Sequence, residues 1–223
     1  MDARLRYPLV CFDVDGTLVD DTVFIWQTLH DRFATDPRAR KKAHDDFFAG
    51  RISYADWFHW DLRLLAEAGA TEPRIREVLD TLRPMPGARE ALLELHDRGH
   101  SLAIVSGSLD LVVAHLFGDI PFAHLLLNRV AFDAEGRIAG GTPTPYDLEG
   151  KAAGLAELCR REGISPKRAA FVGDNDNDLW IARAAGLAIA FNCKSDELRA
   201  ACGIEVRGKD LRAVARAIGE SGA

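Results

Sequence analysis

Four times in this chain a short apolar run stops abruptly at a polar cluster, and that repetition constrains the fold more than any other feature. Leu9-Val10-Cys11-Phe12 meets Asp13-Val14-Asp15-Gly16-Thr17, and Leu102-Ala103-Ile104-Val105 meets Ser106-Gly107-Ser108. Ala169-Ala170-Phe171-Val172 meets Gly173-Asp174-Asn175-Asp176, and Leu187-Ala188-Ile189-Ala190-Phe191 meets Asn192. A weaker run, Leu125-Leu126-Leu127, meets Asn128. Short runs without a 3.6-residue period read as strands buried on both faces. The spacing predicts helices between them, over 87–98, 108–117, 148–163, 177–185 and 209–219. In the third, Leu148, Ala152, Leu155, Leu158 and Cys159 share one face. Strands alternating with helices require crossover connections, hence a doubly wound, mostly parallel α/β sheet. Such sheets bind ligands beyond the carboxyl ends of their strands, where all these polar clusters fall.

Two segments break the alternation. Residues 128–140 read as a β-hairpin turning at Gly136. Between Asp20 and Arg83 the apolar spacing is helical throughout, with Trp26, Leu29 and Phe33, then Trp57, Trp60 and Leu64. This segment leaves through Arg83-Pro84-Met85-Pro86-Gly87, a natural hinge. The expected organisation is a core of 1–19 and 84–223 with a small helical cap, 20–83, inserted after the first strand. Three of the four tryptophans fall in this insert and are expected to form its own core. The small polar end, 219–223, is expected to fray.

Composition removes several function classes. With 48% hydrophobic and 28% charged residues, the 223-residue chain reads as a globular protein. A net charge of -6 argues against a nucleic-acid partner, which requires a basic stripe. The one basic run, Arg38-Ala39-Arg40-Lys41-Lys42, precedes Asp45-Asp46 and reads as a solvated helix face. No stretch approaches the roughly 18 apolar residues of a membrane span, and 1–6 do not resemble a signal peptide. Cys11, Cys159, Cys193 and Cys202 are scattered without metal spacing, so reduced thiols in the cytoplasm are expected. Nothing in the sequence bears on oligomeric state.

The chemistry gathers at the strand ends. Asp13 and Asp15, closing a buried strand, repel each other unless a cation or a reaction requires both. Ser106-Gly107 is expected to open a helix, offering a hydroxyl and free N–H groups to a phosphate. Lys151 adds a positive charge early in another helix, and Asp174 and Asp178 add hard oxygen donors that suit Mg2+. Neither Gly-rich nucleotide loop is present. A calcium loop starting at Asp174 fails because Leu179 and Ala185 replace its glycine and glutamate.

The segment 12–18, Ser106-Gly107, Lys151 and Gly173-Asp174-Asn175-Asp176-Asn177-Asp178 together resemble the four ordered motifs of the haloacid-dehalogenase-like (HAD) phosphatases. Within that superfamily the chain is similar to the phosphoserine phosphatase group, through Asn128-Arg129, Gly136 and the run 186–194. The resemblance covers about 8–19 and 84–218. It implies an Mg2+-dependent phosphomonoester hydrolase with a Rossmann-like core, acting on a small phosphorylated metabolite. Asp13 would be the nucleophile and Asp15 the general acid and base. The metal would sit on Asp13, the Asp15 backbone carbonyl and Asp174. Ser106, Gly107 and Lys151 would hold the phosphoryl group, Asn177 would reach the phosphate, and Asp178 would orient the metal's water or Lys151 from behind.

In the cap the chain departs from the group's pattern. The glutamate expected nine residues after the nucleophile is Thr22, and the carboxylate-binding arginine aligns with His59. Asp20, Asp21 or Asp61 are candidates to replace the glutamate, and Arg51 or Arg63 the arginine. Two other activities share the motifs. One is phosphoryl transfer to a small alcohol; the other is storage of the phosphoryl group, as in signalling receiver domains. The second is disfavoured by the chain's length and by Asp15, which turnover needs and storage does not.

Overall fold

The central strand β1, Leu9–Phe12, is buried along its whole length and sorts its side chains by alternation. Val10 and Phe12 enter one apolar cluster and Leu9 and Cys11 the other, on the opposite face. This computed structural model describes residues 5–22 and 24–222, so 1–4, where the N-terminal reading partly falls, lie outside it.

Two parallel neighbours flank β1. They are β4, Ser101–Leu109, and β7, Ala169–Gly173, with Leu9 in register with Ser101 and Ala169. Beyond β7 lie β8, Leu187–Phe191, and β9, Ile204–Val206. Beyond β4 lies β5, His124–Phe132, also parallel, and then β6, Ile138–Thr142, which runs antiparallel. The order is β6-β5-β4-β1-β7-β8-β9, a doubly wound sheet with the expected hairpin at one edge.

Helices cover both faces. Against the Val10 face pack α5, Ala88–Asp97, α6, Asp110–Phe117, and α10, Arg212–Gly222. Against the Leu9 face pack α7, Lys151–Arg161, α8, Leu179–Ala184, and α9, Asp196–Ala201. Three sequence expectations need correction. Ser106-Gly107 does not open a helix: β4 runs on to Leu109, and α6 starts at Asp110. The extension is held by side chains, because Asn128 Nδ2 on the neighbouring strand β5 and Trp26 Nε1 both donate to the Gly107 carbonyl. The frayed end is helical through Gly222, tied by Arg6 Nη1 donating to the Ser221 carbonyl at 3.0 Å. The aromatic residues of 20–83, assigned to a core of their own, largely line a cavity described below.

The residues between Asp20 and Arg83 form α1, Ile25–Phe33, α2, Pro37–Phe48, α3, Tyr54–Glu67, and α4, Glu72–Leu79. Helix α3 starts at a capping box in which Ser53 and Asp56 exchange side-chain and backbone bonds. The chain on either side of the four helices pairs with itself, β2, Val19–Asp20, lying antiparallel to β3, Arg83–Pro84. No helix among the described residues is long and apolar enough to cross a membrane.

Candidate active site

Lys151 opens α7 with its side chain fully buried, where an unpaired ammonium would be untenable. Its Nζ donates to Asp13 Oδ1 at 2.5 Å and to Asp178 Oδ1 at 2.6 Å. The other Asp178 oxygen accepts from the Asp174 backbone N–H at 3.0 Å. Carboxylate oxygens of Asp13, Asp174 and Asp178 lie within 4.8 Å of one another. Lys194 Nζ donates to Asp174 Oδ2 at 2.6 Å. Asp15 accepts from the Ile25 backbone N–H at 2.8 Å and from Ser108 Oγ at 2.9 Å. Of the expected residues, Asp13, Lys151, Asp174 and Asp178 form one buried cluster, while Asp15, Ser106, Gly107 and Asn177 line one cavity beside it.

Two glycines let these groups approach. Gly16 has φ +80°, and a Cβ there would fall 2.3 Å from Asp174 Oδ2. A Cβ on Gly107 would fall 2.0 Å from Asp147 Oδ2. Gly107→Ala is therefore expected to push Asp147 away from the Tyr54 hydroxyl, which donates to it at 3.0 Å. Breaking that buried bond should cost about 1–3 kcal/mol of stability, read from thermal melts. Unchanged melting would show that Asp147 moves aside freely.

The electrostatics follow from burial. Asp15 is pushed up to about 7, first by desolvation and then by the Asp13 charge. Asp174 is pushed up to about 6 by the same two causes in the same order. Asp178 is raised by burial, against the pull of Lys151. Burial alone would favour neutral Lys151, but the carboxylates of Asp13, Asp178 and Asp147 outweigh it and raise its pKa. Five carboxylates, Asp13, Asp15, Asp147, Asp174 and Asp178, thus face two ammonium groups, Lys151 and Lys194. The excess negative charge and the all-oxygen donor set fit a hard divalent cation such as Mg2+.

Above the cluster opens a cavity of about 600 Å3. Its walls carry Trp26 from α1 and Tyr54, Trp57 and Phe58 from α3, with Arg40 and Lys41 from α2. Trp26 ties this segment to the sheet through Gly107, and Tyr54 ties it to Asp147, just ahead of α7. Asn128, fully buried, donates to the Tyr54 oxygen at 2.8 Å and to the Gly107 carbonyl at 2.7 Å. Of the five candidates named to replace the glutamate or the arginine, Asp61 alone lines the cavity. Asp20 and Asp21 pair with Lys209, Arg51 pairs with Asp46, and Arg63 lies over the Trp60 ring. Thr22 is buried and donates to the Asp20 carbonyl, and His59 is exposed.

Sequence reasoning missed Ser108, Lys194, Asp147 and Tyr54 as site residues. Lys194 and Ser108 adjoin recognised motifs, and Asp147 stands four residues before Lys151. Tyr54 carried no such signal, because its partners Asn128 and Asp147 are distant in sequence.

Fold and cluster together define a doubly wound α/β core that presents buried carboxylates and lysines beside a cavity. Residues 7–186 match the haloacid dehalogenase-like hydrolases, and the chain belongs to that family, in its phosphoserine phosphatase-like group. It is a phosphatase. It is 31% identical over 195 residues to a phosphoserine phosphatase of Halobacterium salinarum, covering 83% of this chain and 86% of that one. A phosphoserine phosphatase of Methanocaldococcus jannaschii is 27% identical over 219 residues, covering 94% and 97%. The Archaeoglobus fulgidus relative is longer, and the match spans 53% of it. Among solved structures, a phosphoserine phosphatase matches with a TM-score of 0.74 at 24% identity, covering 95% of this chain and 98% of that one.

Proposed function

We propose that this phosphatase hydrolyses a small phosphorylated metabolite through an aspartyl-phosphate on Asp13. The observation that carries this reading is the buried Asp13–Lys151–Asp178 cluster opening onto a cavity that also holds Asp15, Ser106 and Gly107. Lys151 engages one Asp13 oxygen and orients the carboxylate, leaving the other to attack phosphorus. As the P–O ester bond breaks, protonated Asp15 gives its proton to the departing alkoxide. Asp15 then takes a proton from water, whose oxygen attacks phosphorus and releases phosphate and free Asp13. Its raised pKa suits both directions of transfer.

The Ser106 hydroxyl, the Gly107 amide and Lys151 hold the phosphoryl oxygens, with Asn177 at the side of the substrate. Asp13, Asp174 and the Asp15 carbonyl would hold Mg2+, with Asp178 fixing Lys151 and the Asp174 backbone. When bound, the ion supplies charge neutralisation on the phosphoryl group. The segment 20–83 serves as a cap over a core of 1–19 and 84–223, in a protein of the cytoplasm.

Metal removal tests this reading. Asp15 and Asp174 have pKa values raised from 3.8 to about 7 and about 6. Their protonated forms stabilise the fold fully below about pH 4, and that contribution is lost as pH rises to about 7. Metal-free protein is therefore expected to melt lower at pH 8 than at pH 5. Mg2+ at about 100 times its Kd should restore about 2.7 kcal/mol, about 5–11 °C. At one fixed Mg2+ concentration the gain should be larger at pH 8, where protons no longer compete for the carboxylates. Phosphate release from nitrophenyl phosphate should vanish in EDTA and return with Mg2+. Full turnover in EDTA would overturn the metal assignment.

A further inference from the structure

Helix α3 turns one face into the cavity, and that face reads Tyr54, Trp57, Phe58, Asp61, at spacings of three, four and seven residues. Across from it on α1 stand Trp26, edge-to-face with Phe58 at 5.7 Å between centroids, and His30. This stretch of the cavity wall is thus aromatic with the Asp61 carboxylate set in it, and Asp31, Asp45 and Asp147 also line the cavity. Asp61 is 4% exposed, and its Oδ1 has no hydrogen-bond donor. His30 Nε2 lies 3.2 Å away without hydrogen-bond alignment, and His30 Nδ1 is engaged by Thr35 Oγ1 at 2.8 Å. Arg40 and Lys41 also line the cavity, Lys41 pairing with Asp45 and Arg40 donating to Gln27. An under-bonded buried carboxylate beside π faces attracts a cation and repels an anion.

We infer that the substrate is the phosphomonoester of a cationic alcohol, an amino or quaternary-ammonium alcohol carrying no carboxylate. Its ammonium group sits against Asp61 between the Tyr54, Trp57, Phe58 and Trp26 rings, while the phosphate reaches Asp13. This rests on the phosphatase reading and names the leaving group for the same site. L-Phosphoserine brings the ammonium but also a carboxylate, and the side chains of this enclosure, Tyr54, Trp57, Phe58, Asp61, Trp26 and His30, include no lysine or arginine.

The test measures kcat/KM with Mg2+ for phosphoethanolamine, phosphocholine, glycerol phosphate, L-phosphoserine and nitrophenyl phosphate. At least one cationic ester is expected to exceed glycerol phosphate and L-phosphoserine by about 10-fold or more, the scale of a desolvated cation–π contact. The two cationic esters separate primary from quaternary ammonium. Asp61→Asn should lower the ratio of cationic to neutral ester by about 10-fold, and Asp61→Glu should recover part of it. Choline should inhibit the unaltered enzyme more strongly than its uncharged isostere dimethylbutanol, a readout that depends on no variant's folding. Equal or better turnover of glycerol phosphate or L-phosphoserine would overturn the inference and leave the phosphatase reading intact. So would an unchanged ratio in Asp61→Asn or equal inhibition by the two alcohols. No turnover of any ester, nitrophenyl phosphate included, would overturn both.

Discussion

Asp13→Asn is expected to abolish turnover while leaving the protein folded. The substitution keeps the shape of the side chain but removes the oxygen that attacks phosphorus, so no phosphoenzyme forms. A fall of about 10^3-fold or more in kcat corresponds to about 4 kcal/mol of barrier. Stability should move the other way. Asp13 is a source of the repulsion that raises Asp15 and Asp174, and Lys151 keeps Asp178 as a partner when Asp13 is neutral. Metal-free Asp13→Asn is therefore expected to melt at or above the temperature of the unaltered protein. Loss of activity together with loss of fold would mean that Asp13 mainly balances Lys151.

Lys151→Ala should fail on both counts. Its ammonium is fully buried between Asp13 and Asp178, so removal strands two buried carboxylates. Breaking a buried pair costs roughly 3–5 kcal/mol, about 6–20 °C of melting temperature in a chain of this size. The sign of the pH dependence identifies the cause. Without the lysine nothing offsets the burial that raises Asp178, so the deficit should be larger at pH 8 than at pH 5, where protons neutralise it. Thermal melts of metal-free protein at both pH values decide it. An equal deficit at both would point to lost packing of the lysine stem instead. Turnover should fall as well, since the phosphoryl oxygens lose their buried cation.

The sheet and its carboxyl edge were legible because buried parallel strands write themselves as unbroken apolar runs, as Leu9–Phe12 does. The Ser106 segment was misread because a hydroxyl and a glycine after a strand usually cap a helix, whereas Gly107 is held extended by Asn128 and Trp26. Those contacts join residues 21 and 81 positions away, beyond any local pattern. The cap was harder for the same reason. Helical spacing shows which residues share a face, so Tyr54, Trp57, Phe58 and Asp61 were recoverable as a stripe. Whether that stripe faces its own bundle or the active-site cavity depends on how α3 docks, which the spacing leaves open. Arg40 and Lys41, read as part of a solvated face, line the cavity by that same docking, together with their partners Gln27 and Asp45.

Locating the phosphoryl group tests the central claim most directly. The unaltered enzyme with Mg2+ and a turned-over phosphomonoester would be acid-quenched during the first turnover, and its peptides weighed by mass spectrometry. One phosphoryl group, labile in alkali, is expected on the peptide that holds Asp13, and none in Asp13→Asn. The same label retained in Asp13→Asn, or carried by a different residue, would contradict the account.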